Sequence, residues 1–347
     1  MKMPVGKAFT ALPREHREGA PLQLGPAFST LSGIRSSRTP CYVIATPLSN
    51  PALLVPTELR QTILNWFGPE GQCWIATLPE TVEHLAQEWG LEIGTPFAGG
   101  SASLVLAVAE KDGTPAVLKI PCLDDENRAE ADALLHYGGV GAVELYKYDS
   151  QTGAMLLERV MPGASLAENA DEDEALGIAC SLLRRLWRPP APGHRFLLVR
   201  HVAAQWADAI EAQIRHGGPF PRSLMTHALN SAHALLKSTG PEVVVNRDAH
   251  LGNVLAAERE PWLLIDPKPL VGEPAFDAGY LVLERLGDSP LGSQAFALLE
   301  KAAQALGVEQ ERVRQWVLVR AVENALWTLK VGASPQGYLA AATAVLG

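Results

Sequence analysis

A short β-rich segment interrupts the second half of this 347-residue sequence, whose pattern is otherwise helical. On both sides of it, apolar residues repeat at three- and four-residue spacing, as amphipathic helices require. Within it, a turn at 258–261 separates two apolar stretches, which we expect to pair as a hairpin. The pattern therefore predicts a helical lobe with an inserted hairpin. The apolar stretches are 243–245, 254–255 and 262–265, and helices are predicted at 175–187, 199–216 and 222–237.

The first half of the chain contains more strand-like segments. Apolar runs at 104–108 and 116–120 flank a Lys-Asp-Gly turn at 111–113, which predicts an antiparallel hairpin. A further apolar run at 154–157 precedes a Pro-Gly pair and is typical of a strand leading into a connection between lobes. Shorter helical patterns occur at 59–66, 81–90 and 126–135.

The length of the chain exceeds that of one ordinary hydrophobic core, so we expect two lobes. The boundaries we predict are a small β-rich N-lobe at 58–157 and a larger, mainly helical C-lobe at 158–347, an α+β architecture. Residues 1–57 are rich in Pro, Ser and Gly and have no helical or strand period. We predict that they form a flexible N-terminal extension.

The charge of the chain limits its partners. The net charge is −9, and because 1–57 contains six basic and two acidic residues, the acidic excess lies in 58–347. An acidic body argues against nucleic acid and suits a cationic small molecule or a divalent metal. The four cysteines are too widely spaced for a structural zinc site or a disulfide framework. No apolar run approaches the ~18 residues of a membrane span. Together with the wide cysteine spacing, this leads us to expect a protein of the reducing cytoplasm. We also expect a monomer or weak dimer.

Three polar residues of the β-rich segment point to phosphoryl transfer. Asp248 is followed five residues later by Asn253, and Asp266 follows the last apolar stretch, where a hairpin would return it towards the other two. Transfer from ATP requires a carboxylate that accepts the proton of the attacking hydroxyl, and further oxygen ligands that hold Mg²⁺. Asp-x-x-x-x-Asn is the spacing found in kinase catalytic loops. Taken singly, the three residues can equally be a turn residue, a cap and a strand terminator.

The N-lobe offers residues that could hold the phosphates of ATP. Lys119 ends the run Val-Leu-Lys in a predicted strand, as does the lysine of kinases that contacts the α- and β-phosphates. Glu130 lies on the predicted helix that follows and could orient this lysine, although Glu126 lies on the same helical face. A loop containing Gly-Gly-Ser, with Ser101 as its polar residue, could drape over the phosphates, or it could be an ordinary strand connection.

Several longer segments carry a family pattern: 67–71 with Trp74, 112–119, 157–159 with Pro162-Gly163, 248–277 and 324–327. Together they resemble the aminoglycoside phosphotransferase superfamily, most closely its streptomycin 6-phosphotransferase/hydroxyurea phosphotransferase branch. The resemblance covers 58–347 and leaves the N-terminal extension outside it.

The resemblance implies a bilobal protein-kinase-like fold that uses ATP and Mg²⁺ to phosphorylate a hydroxyl of an antibiotic-like small molecule. Carried over by position, Asp248 is the catalytic base, Asn253 and Asp266 bind Mg²⁺, and Lys119 holds phosphates with Glu130 orienting it.

The resemblance also implies that 157–161 is the adenine-binding hinge. Its backbone groups at Leu157, Glu158 and Val160 would contact the base.

The catalytic loop departs from the family pattern. It begins Asn246-Arg247 where the family usually has His-Gly, and it has Leu251 where Pro is common. The missing His would brace the loop, so we expect a less rigid loop, although Asn246 can still hydrogen-bond. For His250 and Asp277 we expect structural roles, in hydrogen bonding and in support of the loop.

The acceptor is left open by these patterns. A streptomycin-type aminoglycoside is the first candidate, and hydroxyurea or a small hydroxyl metabolite such as a sugar is the second. A nucleotide-binding regulator with weak or no turnover is the third, because of the Asn246 departure. A positively charged acceptor would suit the acidic body, whereas hydroxyurea is uncharged.

Overall fold

The computed structural model describes residues 55–347 except 100–101, 125–126, 170, 238–239 and 288–289. Almost all of the predicted extension, together with Ser101 and Glu126, therefore lies outside the described residues. The chain divides into two compact units, one that ends at Cys122 and one that runs from Leu123 to Gly347. The predicted lobe boundary after residue 157 stays a prediction.

The first unit begins with a long helix, α1 (Thr57–Trp89), which ends at Gly90 in the left-handed conformation, with φ 70°. The predicted stop at Gly90 is confirmed, and glycine suits it because it lacks a Cβ. A break at Gly68, with φ 51° and ψ −126°, divides this element into two helical segments. The two predicted helices are therefore present, but the second begins at Pro69, earlier than the predicted start at residue 81. Proline suits this position because it is well tolerated at a first helical position.

Three antiparallel strands follow: β1 (Leu91–Pro96), β2 (Ser103–Glu110) and β3 (Pro115–Pro121). The predicted β2–β3 hairpin is confirmed, with Gly113 at φ 86° in its turn. Leu118 and Ile120 are fully buried in the core. Because side chains alternate along a strand, Lys119 points to the opposite face from these two residues.

The second unit is mainly helical, and the helices predicted at 175–187, 199–216 and 222–237 are confirmed. No helix within the described ranges is both long and apolar enough to cross a membrane. In chain order the elements are α2 (Glu130–Tyr137), β4 (Leu145–Tyr148), β5 (Met155–Glu158), β6 (Pro162–Ser165), α3 (Leu166–Asn169), α4 (Glu172–Leu186), β7 (Leu197–Leu198), α5 (Val199–His216), α6 (Arg222–Lys237), β8 (Val243–Asn246), β9 (Val254–Ala257), β10 (Trp262–Leu264), β11 (Pro269–Gly272), α7 (Ala275–Leu286), α8 (Gly292–Leu306), α9 (Gln310–Lys330) and α10 (Gln336–Ala344).

The β-rich segment is split between two small sheets. Strands β9 and β10 form the predicted hairpin, with Leu264 opposite Val254, and β6 pairs with the other edge of β9. Strand β8 instead pairs with β11, so that Asn246 lies opposite Pro269, and β7 completes this second sheet. The sequence pattern did not predict β11, and it did not separate β8 from the hairpin.

Aromatic side chains form the centre of the helical core. Phe276 of α7 stacks on Trp206 of α5, with ring centroids 6.1 Å apart, and meets Trp316 of α9 edge-on at 5.1 Å. The guanidinium of Arg320 lies 5.0 Å from the Trp206 ring, a cation–π contact that suits a cation only 2% exposed. These contacts join three helices around the sheet that carries β8.

Close packing between β11 and α5 makes Gly272 intolerant of a side chain. A Cβ at this position would come within 2.4 Å of Val199, a buried core residue. We expect Gly272→Ala to lower the free energy of unfolding by about 1–3 kcal/mol, because the core must move to admit one methyl group. The matched control is Gly177→Ala in α4, where no atom lies within 4 Å. Urea unfolding should leave the control unchanged or slightly stabilised, and equal losses in both variants would contradict this packing.

Candidate active site

The loop between β8 and β9 brings Asp248 and Asn253 into contact. The Asn253 side-chain amide donates to Asp248 Oδ2 over 3.2 Å and to the Asp248 backbone carbonyl over 3.3 Å. Both residues are buried, at 6% and 8% exposure. Because Nδ2 of Asn253 is used in this way, its carbonyl oxygen is the atom left to serve as a metal ligand.

The β9–β10 hairpin returns the chain to this loop, as the sequence predicted. The Ile265 backbone N–H donates to the Asn253 carbonyl over 2.8 Å, so Asp266 follows directly beside Asn253. Asp266 has a φ of 50° and is the one residue other than glycine with a positive φ in the part of the chain that the structure describes. Such a conformation costs of order 1 kcal/mol and occurs often at functional sites.

Lys268 is a residue of the site that the sequence analysis did not single out. Its ammonium contacts Asp266 Oδ1, and the residue is only 6% exposed. Burial alone would lower the pKa of Lys268, but the charges of Asp266, Glu130 and Asp248 outweigh it and hold the pKa above its usual value. The signal that could have found it is a lysine two residues after a carboxylate in an apolar segment, where cations are normally paired.

Asn246 anchors the start of the catalytic loop. Its side-chain Oδ1 accepts the backbone N–H of Asp248 over 3.2 Å and that of Lys268 over 2.8 Å. Its own N–H donates over 2.7 Å to Oδ1 of Asp277. The expected hydrogen bonding by Asn246 is confirmed. These bonds brace the loop that we expected to be less rigid without the family's usual His.

Asp277 supports the loop through a hydrogen bond to its first residue, Asn246, and the predicted structural role is confirmed. The residue is 1% exposed, and its second oxygen accepts the indole N–H of Trp187 over 2.8 Å. Burial raises the pKa of Asp277 to about 7, against the opposing effect of the hydrogen bonds from Trp187 and Asn246. Its carboxylate therefore connects β8 to both α4 and α7.

His250 makes the structural hydrogen bond that we expected. Its Nδ1 accepts the Gly252 backbone N–H over 3.1 Å and so caps the 3-10 turn that carries Asn253. Its Nε2 lies 3.6 Å from Asp248 Oδ2, a proximity that sequence spacing did not predict. Burial would lower the pKa of His250, yet the hydrogen bond and the charge of Asp248 raise it.

The proposed phosphate-binding residues lie on different units. Lys119 is in the middle of β3 at 6% exposure, and Glu130 is the fully buried first residue of α2. Glu130 acts electrostatically on Lys268, which the sequence analysis did not consider. The pairing of Lys119 with Glu130 stays a prediction.

The predicted adenine hinge begins at the end of β5. The Glu158 carboxylate takes two hydrogen bonds from Arg259, of 3.0 and 2.7 Å, and its backbone N–H donates to the Glu144 carbonyl over 2.9 Å. Both the side chain and the backbone N–H of Glu158 are therefore already used in hydrogen bonds within the protein. A donor to a bound base would have to come from the next residues of the segment, such as Val160.

The oxygen atoms of Asn253 and Asp266 fit a magnesium site. Mg²⁺ is usually held by one or two protein oxygens, with phosphates and water completing the shell. Within the described residues, there is no group of three or more His, Cys, Asp or Glu side chains that could hold a metal. An amide oxygen and a carboxylate are donors of the kind that hold Mg²⁺ together with a nucleotide.

The architecture is shared with small-molecule kinases of known structure. A choline/ethanolamine kinase family protein from Mesorhizobium loti superimposes with a TM-score of 0.58 at 18% identity, covering 78% of this chain and 95% of that one. The aminoglycoside phosphotransferase APH(4)-Ia superimposes with a TM-score of 0.53 at 12% identity, covering 78% and 99%. The predicted α+β, protein-kinase-like class is confirmed, with a β-sheet in the first part and a helical second part.

The family follows from sequence comparison. The model of the aminoglycoside/hydroxyurea antibiotic resistance kinases matches residues 88–332. A streptomycin 6-kinase of Streptomyces glaucescens is 36% identical over 284 residues, which is 81% of this chain and 92% of that protein. A hydroxyurea phosphotransferase of Kitasatospora aureofaciens is 35% identical over 297 residues, 84% and 86% of the two chains. The chain belongs to this family of phosphotransferases, as its motifs predicted, and kinase chemistry implies the use of ATP.

The raised pKa of Asp277 predicts a specific pH dependence of stability. An unfolded aspartate titrates near 3.9, so between about pH 4 and pH 7 the folded protein holds a proton that the unfolded chain has lost. The stabilisation is complete below that range and is lost as the pH rises through about 7. Its slope is at most about 1.4 kcal/mol per pH unit.

The variant Asp277→Asn isolates this contribution because its amide does not titrate. Urea unfolding of both proteins from pH 5 to pH 8 should show that the wild type loses its stability advantage over the variant as the pH rises. A stability difference that stays constant over this range would contradict the pKa assigned to Asp277.

Proposed function

We propose that this protein transfers the γ-phosphoryl group of ATP to a hydroxyl of a streptomycin-type aminoglycoside. The observation that carries the proposal is the contact of Asp248 with Asn253 beside Asp266. Family membership supports the phosphotransferase chemistry, and the 36% and 35% identical streptomycin 6-kinases support the acceptor.

In this proposal Asp248 is the catalytic base. Its carboxylate orients the acceptor hydroxyl and takes up the proton as the oxygen attacks phosphorus. The Asn253 amide fixes Oδ2 of the same carboxylate over 3.2 Å, which limits its rotation. Because positioning and charge stabilisation account for most of the acceleration of phosphoryl transfer, this restraint is a direct contribution to catalysis.

The metal and nucleotide would be held by the residues that the sequence analysis assigned to them. Asn253 Oδ1 and Asp266 would bind Mg²⁺, which supplies positive charge to the β- and γ-phosphate oxygens when bound. Lys119 would contact the phosphates, with Glu130 orienting it. Val160 and the backbone of the 157–161 segment would contact the adenine.

Glu284 is our candidate for recognition of a positively charged acceptor. It lies on α7 one helical turn after Tyr280, and it is close enough to His250 and Asp248 to interact with them electrostatically. Burial raises its pKa, and the charge of His250 opposes that effect. A guanidinium or ammonium on the acceptor would favour its charged form, as streptomycin-type compounds could and uncharged hydroxyurea could not.

Hydroxyurea is the second candidate acceptor, because a hydroxyurea phosphotransferase is 35% identical over 84% of the chain. ADP release in the presence of streptomycin, hydroxyurea and simple sugars, each tested alone, separates the candidates. If none of these compounds causes ADP release, the third candidate is favoured, a regulator with weak or no turnover.

We further propose a cytoplasmic location, where ATP is abundant. We also propose that the protein is a monomer or weak dimer, which analytical ultracentrifugation would test.

Replacement of Asp248 tests the assigned base. We expect Asp248→Ala to reduce kcat by about 10³-fold or more, because general-base catalysis and acceptor orientation are lost together. ATP binding, followed by fluorescence of a nucleotide analogue, should remain within about threefold of wild type, since Asp248 is not a phosphate ligand in this account.

The matched control is Asp173→Ala, which removes an exposed aspartate paired with Lys301 on the same unit. It should retain wild-type turnover, because an exposed ion pair contributes little to stability. Turnover by Asp248→Ala equal to that of the control would refute the assignment of the base.

A further inference from the structure

Lys268 is a buried cation surrounded by acidic side chains of the active site. Its ammonium contacts Asp266 Oδ1, and the charges of Glu130 and Asp248 also act on it. An ammonium at 6% exposure has lost most of its hydration, so its partners must compensate for that loss. Lys268 is therefore part of the charge balance of the site and is not a solvated surface residue.

The backbone of Lys268 keeps this ammonium in place. Its N–H donates to the side-chain oxygen of Asn246 over 2.8 Å, and its carbonyl accepts the N–H of Arg247 over 2.9 Å. These two bonds join Lys268 to the segment that carries Asp248. The ammonium cannot leave Asp266 by a backbone shift unless the anchor of the catalytic loop also breaks.

We propose that Lys268 is a positioning residue that holds the Asp266 carboxylate and lowers its affinity for the divalent ion, so that metal and ADP leave after each turnover. The proposal rests on the proposed function, because it takes Asp266 as a metal ligand. An ammonium on one oxygen of the carboxylate repels a divalent cation at the same group. A lysine at this position thus fixes the geometry of the proposed ligand and lowers its affinity for the metal.

Two effects of removing Lys268 oppose each other. Loss of the ammonium frees the Asp266 side chain, which weakens metal binding by the entropy of fixing one short side chain. Loss of the positive charge also removes the repulsion of the metal, which strengthens binding. The Coulomb effect between a divalent and a monovalent cation that share one carboxylate is the larger of the two, because both cations contact the same group and Lys268 is only 6% exposed.

The test is the affinity for Mn²⁺ in the presence of ADP, measured by electron paramagnetic resonance on the full-length chain. We expect Lys268→Met to bind Mn²⁺ about tenfold more tightly or better than wild type, while kcat falls by about tenfold or more. A purely structural role predicts lower thermal stability with unchanged or weaker Mn²⁺ binding, and that result would overturn the proposal.

Arg312→Met provides the matched control. Arg312 is also a largely buried cation that contacts a carboxylate, that of Glu273, in the same unit. The control should lose thermal stability and keep the wild-type affinity for Mn²⁺. Tighter Mn²⁺ binding by this control to the same extent as by Lys268→Met would overturn the specific role of Lys268.

A second variant keeps the test available if Lys268→Met does not fold. In Lys268→Gln the side chain is uncharged, but its amide can still donate a hydrogen bond to Asp266. We expect it to bind Mn²⁺ about threefold more tightly or better than wild type, because the positive charge beside Asp266 is lost. Unchanged or weaker binding by the folded variant would overturn the proposal.

Metal binding and phosphoryl transfer are measured separately, so the two proposals can fail independently. Wild-type protein that binds Mn²⁺ with ADP but phosphorylates no acceptor would refute the proposed function alone. Wild-type protein that phosphorylates streptomycin, with no tightening in the Lys268 variants, would refute the role of Lys268 alone.

Discussion

The catalytic loop depends on one buried carboxylate, that of Asp277. One oxygen accepts the backbone N–H of Asn246 and the other accepts the indole N–H of Trp187. Asn246 in turn braces the loop, because its side-chain oxygen accepts hydrogen bonds from the backbone N–H groups of both Asp248 and Lys268. Asp248, the proposed base, and Lys268 are therefore both fixed relative to the side-chain amide of Asn246, whose backbone N–H is in turn bound to the helical core through Asp277.

The same unit concentrates charge around a buried ammonium. The charges of Asp266, Glu130 and Asp248 act on the ammonium of Lys268. Arg259, in the β9–β10 turn, pairs with Glu158 at the end of β5 and so connects this hairpin to the segment proposed to bind adenine. Removing one member of a pair that contains a buried ion such as Lys268 costs much more than an exposed pair contributes. We infer that the geometry of the site and the stability of this unit are coupled.

Local patterns in the sequence were sufficient for the elements whose contacts are close in the chain. The β9–β10 hairpin was predictable because its turn and its two apolar strands are adjacent, and its register carries Asp266 to Asn253. Helices α5 and α6 were equally predictable, because each has its own apolar period. The Asp-x-x-x-x-Asn spacing pointed to the base, and family motifs pointed to the class of reaction.

The features that escaped prediction depend on contacts between distant segments. Strand β8 pairs with β11, which lies beyond the hairpin, and no local pattern indicates that pairing. The role of Lys268 depends on three acids from separate segments, one of them on α2. The second segment of α1 begins at Pro69, directly after Gly68 takes a positive φ, which is earlier than the apolar pattern at 81–90 indicated.

The most direct measurement of the central claim follows the phosphoryl group itself. Purified protein is incubated with γ-labelled ATP, Mg²⁺ and streptomycin, and the label is located by chromatography and mass spectrometry. The account predicts labelled streptomycin carrying one phosphoryl group, formed in equal amount to ADP. Label that appears only in inorganic phosphate, or that stays in ATP, with streptomycin unmodified, would contradict it.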